Sequence, residues 1–269
     1  MSIVIKAEPE RVHLGKAKWI GNTDGDTPTI QLNIRLLGID TPELHYPGTT
    51  RPSKYDYQLE SLMKNSGKKW EAGLKKFLSP KLANKPGTLQ ETWGQKAKEK
   101  FAELALQHLE EINPNTARKR HKGVFLTVGE QVFDQYKRLL SYVAPDEEDA
   151  KKRKTFNLLL MEEGMAINYI IFPNLPKLED WERVQKAVQK AKKAKSGFWS
   201  DSRILLGYEY RFCVDTALGK RQGPDKYCAD ITSGLLYPPQ KYHLIEPENR
   251  LFIYEKDLKA ANKRLNLKK

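Results

Sequence analysis

The sequence predicts an α+β chain: a small five-stranded antiparallel barrel with about three helices packed around it, a helical insertion and a small C-terminal extension. Three observations predict this. Residues 30–36 alternate apolar with polar, the period of two that marks a strand with one buried face. Apolar residues between 70 and 112 recur at helical spacing. The segments then run in the order strands, helix, strands, helix, helix.

Val12, Leu14, Ala17, Trp19 and Ile20 predict a first strand, ending at the turn formers Gly21-Asn22-Thr23-Asp24-Gly25-Asp26. Ile30, Leu32, Ile34 and Leu36 supply the buried face of the second. Leu37 and Ile39 break that parity with Gly38 between them. A bulge at Gly38 accounts for the switch, and it lets Arg35 and Asp40, nominally on opposite faces, point to one place. Residues 44–92 read as an insertion. Tyr46-Pro47-Gly48 and Pro52 mark loop in it, and Trp70, Leu74, Phe77 and Leu78 a helix stopped by Pro80. The next helix follows Gly94, with Ala97, Phe101, Leu104, Ala105 and Ile112 on its apolar stripe and Asn113-Pro114 closing it. Arg118–Lys122 is a basic loop. Val124, Leu126, Val128 and Val132 form a strand with a turn at Gly129-Glu130, and Leu139, Leu140, Tyr142 and Val143 another. Phe156–Glu163 is a short helix capped by Gly164. Leu178, Trp181, Val184, Val188 and Ala191 form a last helix ending near Gly197. Residues 1–200 are thus expected to be one domain. Residues 201–269 are its extension, where Tyr208, Tyr210, Phe212 and Leu251–Tyr254 read as short strands of a cap.

Lys and Arg total 47 against 34 Asp and Glu, a formal charge of +13. Such a surplus attracts polyanions, and nucleic acid, acidic lipid and heparin-like sugar all remain open. No stretch approaches the ~20 apolar residues that span a bilayer. The apolar run at the N-terminus is too short for a secretory signal, so a cytoplasmic place is expected for the chain as written, or secretion if a leader has been removed. Cys213 and Cys228 lack the companions of a zinc set; a disulfide and two free thiols are equally open.

Asp24, Asp26, Asp40 and Glu43 place four carboxylates near the ends of two adjacent segments, with Arg35 between them. Clustered carboxylates repel unless a cation or proton compensates. A hard cation such as Mg²⁺ or Ca²⁺ is one solution, and no neighbouring His or Cys points to zinc. A solvated acidic turn with Arg35 in a salt bridge is the other.

Asp24-Gly25-Asp26-Thr27, followed by Arg35-Leu36-Leu37-Gly38-Ile39-Asp40-Thr41-Pro42-Glu43, resembles the signature of the staphylococcal nuclease family. The second block matches without gaps. Asp134-Gln135-Tyr136-Lys137-Arg138-Leu139-Leu140-Ser141-Tyr142 is similar to the family's D-K-Y-G-R-G-L-A-Y segment. Glu163-Gly164-Met165-Ala166, Tyr169 and Gly197-Phe198-Trp199-Ser200 follow in the family's order, so the resemblance covers roughly residues 10–201.

The resemblance implies an OB-fold-type barrel and a nuclease that cuts DNA and RNA with little sequence specificity, leaving a 5′-hydroxyl and a 3′-phosphate. It implies Ca²⁺, with Mg²⁺ or Mn²⁺ as substitutes, and a monomer. Asp26 and Asp40 would ligate the metal by side chain and Thr41 by its carbonyl, with Asp24 behind them. Glu43 would position or deprotonate the attacking water, and Arg35 and Arg138 would hold the scissile phosphate. Tyr136 and Lys137 would lie along the substrate, and Tyr169 would stack on a base. A phosphodiester is anionic, so guanidiniums that neutralise charge on its equatorial oxygens suit the chemistry independently. The alternative is an inactive nucleic-acid-binding module of the same fold. The sequence departs from the pattern in three places: a short hairpin between Asp26 and Arg35, Gln135 where the family has Lys, and the long segment after Glu43.

Overall fold

The computed structural model describes residues 17–65, 70–112, 119–147 and 153–268. Val12, Leu14, Asn113-Pro114, Arg118 and the Lys151-Lys152 pair lie outside them. The strands are β1 (Lys18–Asn22), β2 (Pro28–Gln31), β3 (Ile34–Leu36), β4 (Ile39–Asp40), β5 (Glu110–Ile112), β6 (Lys119–His121), β7 (Val124–Phe133), β8 (Leu139–Pro145), β9 (Ile167–Asn168), β10 (Ile170–Ile171), β11 (Lys226–Asp230), β12 (Leu236–Tyr237) and β13 (Arg250–Tyr254). The helices are α1 (Asp56–Glu60), α2 (Leu62–Asn65), α3 (Ala72–Leu78), α4 (Pro86–Leu109), α5 (Phe156–Glu162), α6 (Leu178–Ala194), α7 (Gly207–Ala217) and α8 (Leu258–Leu265).

The α+β class is as expected, but the strands do not close into one barrel among the described residues. β3, β8 and β7 form a sheet in which β3 runs parallel to β8, while β1 and β2 make a separate hairpin. The expected strand over 30–36 breaks at Leu32-Asn33, so β2 leaves the line of β3. Ile30 and Ile34 are consequently exposed rather than facing a core. β7 runs through the expected turn at Gly129-Glu130, absorbing it as a register shift against β8. The expected basic loop is partly a strand, β6, paired with β5.

The insertion and the extension share the main core. Leu59, Trp70 and Leu74 pack with Phe156, Val188 and Phe198 and with Tyr210, Phe212 and Phe252 in one buried cluster. β13 pairs with β10 in parallel and with β11 antiparallel, so the C-terminal sheet continues from the middle of the chain. Leu251–Tyr254 is a strand as read, whereas Tyr208, Tyr210 and Phe212 belong to helix α7 rather than to strands. Both cysteines are buried free thiols. No helix among the described residues is long and apolar enough to cross a membrane.

Helix α4 starts eight residues before Gly94, with Pro86 at its first position, where no backbone N–H is missed. The opening turn is capped from a distance. Asp56 Oδ1 accepts the Gly87 and Thr88 N–H groups at 2.7 and 2.9 Å, which also sets a negative charge at the positive end of the helix. This tie fixes α4 where its middle passes behind Glu43.

Candidate active site

The site is built at the corner between β3 and β4. Gly38 adopts a φ of +74°, which an L side chain resists, and the chain turns there as the broken parity required. The turn brings Arg35 back onto Asp40, five residues on: the Arg35 NH2 group donates to Asp40 Oδ1 at 3.0 Å and to the Ile39 carbonyl at 3.3 Å. The buried amide of Asn157 holds the corner from inside, donating to the Leu37 carbonyl at 2.8 Å and accepting from Val143 N–H at 3.2 Å. Asp40 is 1% exposed.

A residue absent from the sequence reading completes the corner. Arg211, from α7, forks onto both oxygens of Asp40 at 3.0 and 2.9 Å and also donates to Glu43 Oε1. Its guanidinium lies over the Tyr169 ring, 5.6 Å from the centroid. Burial raises the Glu43 carboxyl above its ordinary value even though Arg211 and Arg35 pull it down. Burial would neutralise Arg211, but Asp40 and Glu43 outweigh it and keep the guanidinium firmly charged.

Glu43 is also held from behind. With the Gln90 amide oriented to satisfy both neighbours, its oxygen accepts the Glu43 N–H at 2.8 Å and its nitrogen donates to the Leu205 carbonyl at 2.9 Å. Gly94 touches the same backbone: a Cβ there would lie 2.7 Å from the Glu43 carbonyl oxygen. The insertion's long helix therefore buttresses the corner.

The other expected residues lie around it with unequal closeness. β3 pairs with β8 so that Arg35 faces Leu140, and Arg138 directly precedes β8 at the end where β3 begins. Arg138 Nε donates to Asp134 Oδ2 at 2.7 Å, and its guanidinium sits 5.3 Å from the Tyr136 ring centroid. Tyr136 is exposed, and Lys137 turns the chain with a φ of +63°. Tyr169, expected to stack on a base, already stacks on Tyr208 with ring centroids 5.0 Å apart and packs edgewise on Phe252. Asp24 and Asp26 stand on the exposed β1–β2 hairpin, where Asp26 Oδ1 accepts the Thr27 hydroxyl at 3.2 Å.

The arrangement does not fit the divalent ion that the resemblance implied. Among the described residues no group of three or more His, Cys, Asp or Glu side chains gathers as a metal centre. The oxygens of Asp40 are already taken by two guanidiniums. Thr41, the implied backbone ligand, is covered as well: a Cβ added at Gly207 would overlap the Thr41 carbonyl oxygen and lie 2.5 Å from Asp40 Oδ2. The first turn of α7 thus rests on the atoms that would face the metal.

The D-T-P-E corner with its arginine folded back, on an α+β scaffold, is the signature block of the sequence brought together in space. The sequence model of the family described as staphylococcal nuclease homologue matches residues 33–201, and the chain belongs to that family. The match begins just before β3, so the β1–β2 hairpin and everything after Asp201, Arg211 included, lie outside it. Endonuclease YhcR of Bacillus subtilis (strain 168) is 30% identical over 129 residues, which cover 48% of this chain and 10% of that much longer protein.

Proposed function

We propose that the chain is a nuclease that hydrolyses phosphodiester bonds of DNA and RNA with little sequence specificity, using the corner of Arg35, Asp40 and Glu43. The observation that carries this reading is the Arg35–Asp40 pair beside Glu43, held in place by the Gly38 turn. Arg35 engages protein partners through its NH2 group, and its side chain is 32% exposed. The rest of its fork is available to two oxygens of a phosphate.

Arg138, directly before β8 and 40% exposed, would divide its donors between Asp134 and the phosphate it binds. Together the two guanidiniums stabilise the charge that grows on the equatorial oxygens during attack. Glu43 orients the water and accepts its proton. A raised carboxyl pKa makes it a stronger base than an exposed glutamate. Asp40 positions both arginines. The surplus positive charge draws the polyanion in, and Tyr136 and Lys137 extend the track beside Arg138.

The test is digestion of supercoiled plasmid and of single-stranded RNA by the wild-type chain and by Glu43→Gln. Cleavage of both by the wild type, reduced at least about 100-fold in Glu43→Gln, is expected for loss of a proton acceptor. Equal cleavage by the two proteins removes Glu43 from its role. One observation favours a second reading: Arg211 closes the acidic corner, as suits a module that binds nucleic acid without cutting it. Salt-sensitive binding with no cleavage under any of these conditions selects that reading.

A further inference from the structure

We propose that Arg211 is the resident cation of the Asp40–Glu43 corner, standing where the family's divalent ion would sit, so that this chain takes up no such ion there while α7 is seated. The inference rests on the reading of this corner as the reactive one, and goes beyond it by assigning the charge compensation to the extension.

Three features carry it. First, charge: two carboxylates, Asp40 and Glu43, face two guanidiniums, Arg35 and Arg211, and the corner is neutral as it stands. A divalent ion would leave it with two uncompensated positive charges in a buried place, where charge is expensive. Second, donor supply: Asp40 Oδ1 accepts from both arginines and Oδ2 from Arg211, so most of the lone pairs of Asp40 that a hard cation would use are already engaged. Third, shape: Gly207, one helical turn before Arg211, lies against Asp40 Oδ2 and the Thr41 carbonyl, so the backbone of α7 fills the space as its side chain fills the charge. Tyr46, from the loop after Glu43, strengthens the seat by donating its hydroxyl to Asp215 further along α7 at 2.8 Å.

A guanidinium is a suitable replacement. Its planar fork matches a carboxylate with two parallel hydrogen bonds, and it stays charged when buried. Unlike a bound ion, it is permanently attached, so the corner needs nothing from solution to keep its two acids ionised and together.

The experiment is a calcium titration followed by calorimetry, repeated with terbium and read by luminescence sensitised from the aromatic side chains. The wild-type chain is compared with Glu43→Gln, Arg211→Ala and the bulkier Arg211→Met. Up to about 1 mM Ca²⁺, the weak end of protein calcium sites, wild type and Glu43→Gln are expected to titrate alike, because any uptake is at surface acids. Whichever Arg211 variant folds, checked by its circular dichroism and cooperative melt, should gain one site, and adding Glu43→Gln to it should remove that site again. A wild-type site that vanishes in Glu43→Gln overturns the proposal, and needs no Arg211 variant to do so. A folded Arg211 variant that binds no more ion than wild type overturns it too. The readout is binding, so a protein that cuts nothing still decides this question, and one that takes up no ion can still cut.

Discussion

At the scale of single residues, the account turns on Glu43. It is half-buried within a neutral cluster, and burial holds its proton more tightly than an exposed glutamate would. The direction fixes a sign. The active form is ionised, so as pH falls Glu43 should protonate, and activity should disappear, earlier than an ordinary glutamate near 4.3 would allow. A pH profile of kcat/KM is expected to show an acid limb above that value, missing from the residual activity of Glu43→Gln. A limb at or below it contradicts the assignment. The Arg35–Asp40 contact was legible in the sequence because Gly38 breaks the alternation, and only a left-handed turn there reconciles the two residues. Arg211 was not legible. Tyr208, Tyr210 and Phe212 alternate like a strand, and α7 is buried on nearly every side, so it shows no apolar stripe of period 3.6. The usable signal was Glu209 and Arg211 embedded in an apolar run, since charges in such company are seldom buried unless paired. Glu209 indeed meets Lys81 at 2.9 Å.

At the scale of elements, two helices that lie outside the family's signature blocks shape the corner. α4 begins in the last residues of the insertion and supports Glu43 through Gln90 and Gly94; α7 comes from the extension and covers Asp40 and Thr41. α5, α6 and β8 were read correctly because each carries a local signal: the Gly164 cap, an apolar stripe with lysines outside, and a run of alternating residues. The hairpin β1–β2 was misjudged because periodicity tells which residues could share a face but not whether that face finds a partner. Gly207→Ala is expected to lift α7 from the corner, because its added methyl meets fixed backbone and a buried carboxylate. Urea unfolding should register a loss of about 1–3 kcal/mol, typical of overpacking. An unchanged midpoint and slope would mean that α7 does not rest there.

At the scale of the whole molecule, the family match ends at residue 201 but the core does not. Phe212 and Tyr242 pack with Trp70 and Phe77 of the insertion, and Arg250 is buried with its guanidinium 2.6 Å from the Tyr208 hydroxyl. β10 would lose its partner β13 if the extension were removed. A chain cut after Asp201 is therefore expected to lack a cooperative melt, and a sharp transition like that of the full chain would show the extension to be dispensable. The sequence disclosed the boundary of the signature but not the sharing of the core, because the pairing of Phe212 with Trp70 depends on contacts between segments more than a hundred residues apart. The surplus of positive charge belongs to this scale too: under the proposed function it would draw a polyanion toward a corner whose own charges cancel.

The most direct test of the central claim is the single-turnover cleavage rate of a fluorescent oligonucleotide, with Arg35→Ala compared with the wild type at saturating protein and affinity measured separately. Asp40 keeps Arg211 as partner in that variant, so the corner should remain folded. The rate is expected to fall about 100-fold or more, the cost of removing one donor from developing oxyanion charge, with affinity little changed. An unaltered rate in a folded Arg35→Ala protein would place the chemistry elsewhere.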